Sequence, residues 1–173
     1  MGISFLNPEL AKWDALGEAR ERPELLVAPI FSDERPLRGT AGLVDWRLCG
    51  RLSRLLATGR VTGARGETTL LPTPRLAFGK LVLFGLGSSV GFDEERFRDA
   101  ARAIRKVARG IGAARYALPL PGRSTGRIMA RRALELWLDE ELSGAGADGG
   151  EVWLIEPQAA QKDMSDALGH RRP

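Results

Sequence analysis

The sequence predicts an α/β fold in which a mainly parallel sheet is covered by helices on both faces. Three observations carry this. Apolar runs without polar alternation recur as Leu25-Leu-Val-Ala-Pro-Ile-Phe31, Leu81-Val-Leu-Phe84 and Tyr116-Ala-Leu-Pro-Leu120, the pattern of strands buried on both sides. Helix-period segments lie between them, the longest over residues 93–111. Gly85-Leu-Gly87 and Pro121-Gly122 close two of the runs, and strands that alternate with helices pair in parallel.

Each element has a local reason. Asn7-Pro8 supplies an N-cap and a first-turn proline for a short helix with Leu10, Trp13 and Leu16 on one side. Residues 24–31 form a central strand, and 32–42 a charged loop with Pro36, Gly39 and Gly42. A helix over about 44–57 turns Val44, Leu48, Leu52 and Leu55 inward and carries Arg47, Arg51 and Arg54 elsewhere. Gly59, Gly63 and Gly66 mark turns. A strand over 67–71 ends at Pro72 and Pro74, and a buried strand follows over 80–85. Helix 93–111 places Phe97, Ala101, Ile104, Ala108 and Ile111 on one face, with acids in its first turn. After the strand at 116–120 comes a helix over about 126–142, with Ala130, Leu134, Trp137 and Leu138 inward. A flexible turn at 143–150 leads to a last strand at 151–156 and a loosely held polar tail.

Composition narrows the function classes. The chain has 173 residues, 43% hydrophobic and 28% charged, the profile of one globular domain, taken as 1–157 with a tail at 158–173. It has no apolar run of membrane-spanning length and no basic-then-apolar start of a secretory signal. Cys49 is the single cysteine, so no internal disulfide forms, and the expected location is the cytoplasm. Arginine makes most of the basic side of a +4 formal charge, since lysine occurs only at 12, 80, 106 and 162.

The stretch Pro36-Leu-Arg-Gly-Thr-Ala-Gly-Leu-Val-Asp-Trp-Arg-Leu-Cys-Gly-Arg-Leu-Ser-Arg-Leu-Leu56, the strand before it, the strand ending Gly85-Leu-Gly87 and the strand–loop–helix from Tyr116 through Trp137 together resemble the amino-terminal domain of the leucyl (cytosol) aminopeptidases. The resemblance covers about 24–156. It implies a macro-like fold, a mixed and mostly parallel sheet in a three-layer α/β/α sandwich. That family's chemistry resides in a carboxy-terminal domain that binds two metals around an Asn-Thr-Asp-Ala-Glu-Gly-Arg segment. No such segment occurs in this sequence, so no catalytic residue, metal ligand or cofactor is carried over. Asp148 and Glu151 lack the partners of a two-metal site. The expectation is therefore a non-catalytic interaction or regulatory module that self-associates or docks on a protein partner.

Two further readings follow. Macro-type folds bind ADP-ribose through glycine-rich loops, so a small nucleotide-like ligand would bind at Gly122, Arg123, Ser124, Thr125, Gly126 and Arg127, or at Gly85, Gly87 and Ser88. The first loop has Ser124 or Thr125 as a helix cap, flanking arginines and no acid near in sequence. The second precedes Asp93-Glu94-Glu95, which would repel phosphate, and its plainer reading is a turn. The other reading is nucleic-acid binding. Arg98, Arg102, Arg105 and Arg109 are spaced i, i+4, i+7, i+11 on the longest helix and would track a phosphate backbone. Some full-length members of the resembled family also bind DNA. No aromatic residue interleaves the stripe, so a solvated helix face is the plainer reading. His170 stands alone in the tail, and Ser4 and Ser53 lie in no nucleophile-elbow context. Cys49 falls between Leu48 and Leu52 as a small core residue. Asp45 serves a helix N-terminus, and Trp46 covers a sheet edge or a partner.

Overall fold

The computed structural model describes residues 2–16, 22–73, 76–143 and 150–169. Strands β1 (Gly2–Leu6), β2 (Leu25–Ile30), β3 (Thr68–Pro72), β4 (Lys80–Gly85), β5 (Arg115–Leu118) and β6 (Glu151–Ile155) form one sheet in the order β1-β6-β5-β2-β4-β3. Every pairing is parallel except the edge strand β3, which runs antiparallel to β4. Alternate residues of β2 explain the two apolar faces. Leu25 and Val27 join the core under α4 (Glu94–Ile111), α5 (Ala130–Ser143) and α6 (Gln158–Gly169). Leu26, Ala28 and Ile30 join the core under α1 (Leu10–Asp14), α2 (Gly39–Arg47) and α3 (Arg51–Ala57). The sheet is thus the middle of three layers, as the fold expectation requires.

The longest helix forms as its sequence dictates. The Asp93 carboxylate accepts from the Arg96 N–H, Glu94 and Glu95 sit in the first turn, and Gly112 ends α4 in the left-handed region.

Several expectations are corrected. The predicted helix over 44–57 is two helices, and the first begins five residues earlier, at Gly39. The break falls where Cys49 (φ 54°) and Gly50 (φ 76°) take left-handed conformations. That turn lets the Asp45 carboxylate accept from the N–H groups of Leu52 and Ser53 and from the Ser53 hydroxyl, so Asp45 caps α3 across the break. Cys49 is consequently exposed and is not a core residue. The last predicted helix starts at Ala130 instead of 126, after a single 3-10 turn, Arg123–Thr125, between left-handed Gly122 and Gly126. The segment expected as a loose tail is α6, which buries Met164 and Ala167 in the core. The opening residues, read without structure, are β1. The turn at 144–149, with Asp148, and His170 lie outside the described residues.

Candidate functional site at the carboxyl ends of the strands

A cavity of about 170 Å³ opens at the carboxyl ends of β2, β5 and β6. Its walls are Pro8, Pro29, the first turn of α2 from Arg38 to Ala41, the loop from Pro119 to Ser124, and Ile155-Glu156-Pro157. The position follows from the topology, since helix N-termini and loops gather at the carboxyl edge of a parallel sheet.

The loop 121–127 contributes Gly122, Arg123 and Ser124 to this wall, but in a different role from the expected one. Thr125 does not cap α5; its hydroxyl donates to the Gly122 carbonyl at 2.9 Å. Gly126 and Arg127 are exposed beyond the 3-10 turn. The fold also brings acids to a loop that has none near in sequence. Arg123 donates from Nε and Nη2 to the two oxygens of Glu156, at 2.9 and 3.0 Å, and from Nη1 to the Ile128 carbonyl at 2.9 Å. Glu156 is buried, its side chain 2% exposed, while Arg123 is partly buried, and the fork geometry of the pair is bidentate. The Ser124 hydroxyl donates to Glu34 Oε2 at 3.1 Å. Glu34 Oε1 is buried without a hydrogen-bond partner among the described residues.

The loop at Gly85, Gly87 and Ser88 is not part of the cavity wall, and most of its donors are already engaged. Leu86 N–H goes to the Ile30 carbonyl and Gly87 N–H to the Gly63 carbonyl. The Asp33 carboxylate accepts from Ser89 N–H and from the hydroxyls of Ser88 and Ser89. The Ser89 backbone bond, then the Ser88 hydroxyl, hold the Asp33 carboxyl below its ordinary pKa. An anion therefore occupies this loop, and it is the protein's own side chain. Glu67 does the same for the turn at 62–64. Burial raises its pKa, but donors from Thr62, Gly63 and Ala64 outweigh that and bring it below the ordinary value.

The arginine stripe of α4 points at α5. Arg98 and Arg102 converge on Glu140, at 3.1 and 2.8 Å, and the Glu140 side chain is 7% exposed. Arg105 donates to the Trp137 carbonyl and stacks 4.4 Å from the centre of the Trp137 ring. Burial lowers the pKa of Arg105. Arg109 is exposed and also engaged. Three of the four arginines thus clamp two helices together, and a phosphate backbone would have to displace those contacts.

Arg38, Gly39 and Thr40, expected in a charged loop and not as site residues, line the cavity. A signal was present. Leu37, Ala41, Val44 and Leu48 stand at i, i+4, i+7 and i+11 and are all buried, so the helical period runs back past residue 44. Among the described residues no three of His, Cys, Asp and Glu gather as a metal site would need, and no helix is long and apolar enough to cross a membrane.

The sheet order, the antiparallel edge and the flanking helices define a macro-type α/β/α domain. A macrodomain from Trypanosoma brucei solved in complex with ADP superposes with a TM-score of 0.71 at 16% identity, covering 97% of this chain and 69% of that one. One from Oceanobacillus iheyensis with ADP gives 0.65 at 10% identity over 85% of this chain and 83% of that one. A tomato leucine aminopeptidase gives 0.63 at 15% identity, over 97% of this chain and 35% of that one. More particularly, the chain belongs to the cytosol aminopeptidase family, whose N-terminal domain matches residues 27–137. A probable cytosol aminopeptidase of Methylobacillus flagellatus is 32% identical over 102 residues, which is 58% of this chain and 20% of that protein. Another, from Streptomyces coelicolor, is 36% identical over 99 residues, 54% of this chain and 19% of that protein. The chain spans about a fifth of the length of these relatives, and what it matches is the N-terminal domain.

Proposed function

We propose that this chain acts as a non-catalytic interaction module. Membership in the family through its N-terminal domain supports the reading. The observation that carries it is a pair of exposed apolar side chains on the connections that follow β4 and β5. Val90 and Met129 are each 71% exposed, on loops that the structure holds together. The Glu94–Arg132 bridge ties the first turns of α4 and α5 at 2.6 Å, and the Phe92 ring packs directly on Gly122. Exposed large apolar side chains held on fixed loops are suited to a partner surface. Light scattering and capture from native lysate test this with the chain and a Val90→Glu, Met129→Glu variant. The expected result is a mass above the monomer, or a captured protein, that the variant loses. A strict monomer that captures nothing overturns it.

A second reading, a nucleotide-type small ligand, rests on the cavity and on the likeness to macrodomains solved with ADP. Calorimetry with ADP-ribose tests it, and absence of heat at millimolar ligand sinks it.

A further inference from the structure

We propose that the edge strand β3 pairs with itself: two copies of this chain join antiparallel through β3, about a two-fold axis at Thr69, and their sheets become one. The inference goes beyond the interaction reading above and uses a surface apart from Val90 and Met129.

β3 has β4 on one side and no described strand on the other. Antiparallel ladders alternate, so every second residue turns its N–H and C=O toward the neighbour. Gly85 N–H donates to the Glu67 carbonyl at 2.8 Å, and Thr73 N–H to the Gly79 carbonyl at 3.4 Å. With a register that sets Thr68 against Phe84 and Leu70 against Val82, these bonds give the odd-numbered residues to β4. The backbone groups of Thr68, Leu70 and Pro72 therefore point outward. Pro72 has no N–H, and its carbonyl accepts from Arg51 Nη1 at 3.3 Å. Thr68 and Leu70 are exposed, and their outward N–H and C=O groups have no partner among the described residues.

The occupant follows from how this edge fits itself. A dyad at Thr69 sets Thr68 against Leu70 of the second copy, and Leu70 against its Thr68, so each pair exchanges both hydrogen bonds. Thr69 meets Thr69, a favourable cross-strand pair. Beyond them Gly66 faces Pro72. The Gly66 N–H already donates to the Gly85 carbonyl, so it needs nothing from Pro72, and open space at its Cβ position leaves room for the proline ring. Glu67 stands opposite Leu71, but its carboxylate is folded back on Thr62, Gly63 and Ala64 and puts no charge on the seam. A dyad at Leu70 instead sets Thr68 against Pro72, which cannot donate and whose carbonyl is taken. A dyad at Thr68 sets Leu70 against Gly66, whose N–H is spent. The Thr69 register alone satisfies both open residues. Edge strands kept single commonly carry a charge, and residues 68–72 have none. Leu70, 51% exposed, gains cover from Thr68 of the second copy on the same sheet face. One short strand buries less than the roughly 1,200 Å² of a standard interface, so the dimer is weak and concentration-dependent.

The experiment is sedimentation equilibrium of the whole chain from micromolar to millimolar concentration, with amide hydrogen exchange read at both ends of the range. The expected result is a dimer at the high end, where the Thr68 and Leu70 amides exchange at least about tenfold more slowly, while Thr69 and Leu71 are protected throughout. Leu70→Pro deletes an outward N–H without touching the β4 ladder and weakens the dimer by at least about tenfold. Leu70→Lys, at the same exposed position, also weakens it and keeps the test valid if the proline variant unfolds. In a Cys49→Ser background, Thr69→Cys forms a disulfide between copies, since directly opposed Cα atoms of this kind lie about 4.5 Å apart; Leu70→Cys does not. The Val90→Glu, Met129→Glu variant keeps this dimer and loses only what docks on those side chains, so the two readings fail separately. A monomer at millimolar concentration overturns the proposal. So does a dimer that Leu70→Lys leaves intact, a cross-link through Leu70→Cys and not Thr69→Cys, or an edge that protects Thr68 and Leu70 only when an unrelated peptide is added.

Discussion

Gly122 shows how one residue positions the site. It sits at φ 76°, and a Cβ there would lie 2.5 Å from the Phe92 ring, which itself packs edge-on against Phe31. Alanine at 122 meets both a left-handed backbone and an aromatic that cannot retreat. We expect Gly122→Ala to cost about 2–4 kcal/mol in urea unfolding. Gly126 has a similar φ of 68° but open space, so Gly126→Ala should cost only about 1 kcal/mol, the backbone part. Glu67 gives a pH prediction. Its folded pKa lies below the ordinary value of 4.5, so its support is complete at neutral pH and is lost as the pH falls below 4.5 toward the lowered value. The wild type should therefore lose thermal stability below that pH more steeply than Glu67→Gln, which has already lost the contribution at neutral pH. Parallel acid melts check this.

Among the elements, the α4–α5 pair explains why a residue pattern and its meaning came apart. The i, i+4, i+7 spacing of Arg98, Arg102 and Arg105 was legible, and so was the helix that carries them. What they face was not, because Glu140 and Trp137 lie 32 to 42 positions away along the chain. Glu140→Ala leaves Arg98 and Arg102 without their shared carboxylate. Both arginines retain access to water, so the cost should be about 1–2 kcal/mol by urea unfolding, with Glu140→Gln in between. A loss within error would show that apolar packing alone holds the two helices. The same logic applies to the break between α2 and α3. The inward positions Val44, Leu48 and Leu52 were readable as one helix. The left-handed Cys49, a conformation few residue types favour, was not signalled.

For the molecule as a whole, the buried strands β2, β4 and β5 were legible because their unbroken apolar runs leave few alternatives. The edges were harder. β1 alternates weakly and was given no element, and α6 has a polar exterior, so composition alone suggested a loose tail. The cavity was half-readable. Its Gly122-Arg123-Ser124 wall was marked by glycine and arginine. The facing turn of α2 was not, and neither was the Glu156 that occupies Arg123, since only the fold brings the two within 2.9 Å.

The pairing of the first strand with the last has a consequence for how the chain is made. β1 has a single neighbour, β6, whose Glu151 to Ile155 register with Gly2 to Leu6. During synthesis β1 therefore emerges with its hydrogen-bonding edge unmatched. It cannot dock until β6 has also left the ribosome, and 147 positions separate Ser4 of β1 from Glu151 of β6. The inner strands can assemble earlier, whereas closing this edge is a late, long-range event, and the interval before it is when the nascent protein is most open to mispairing.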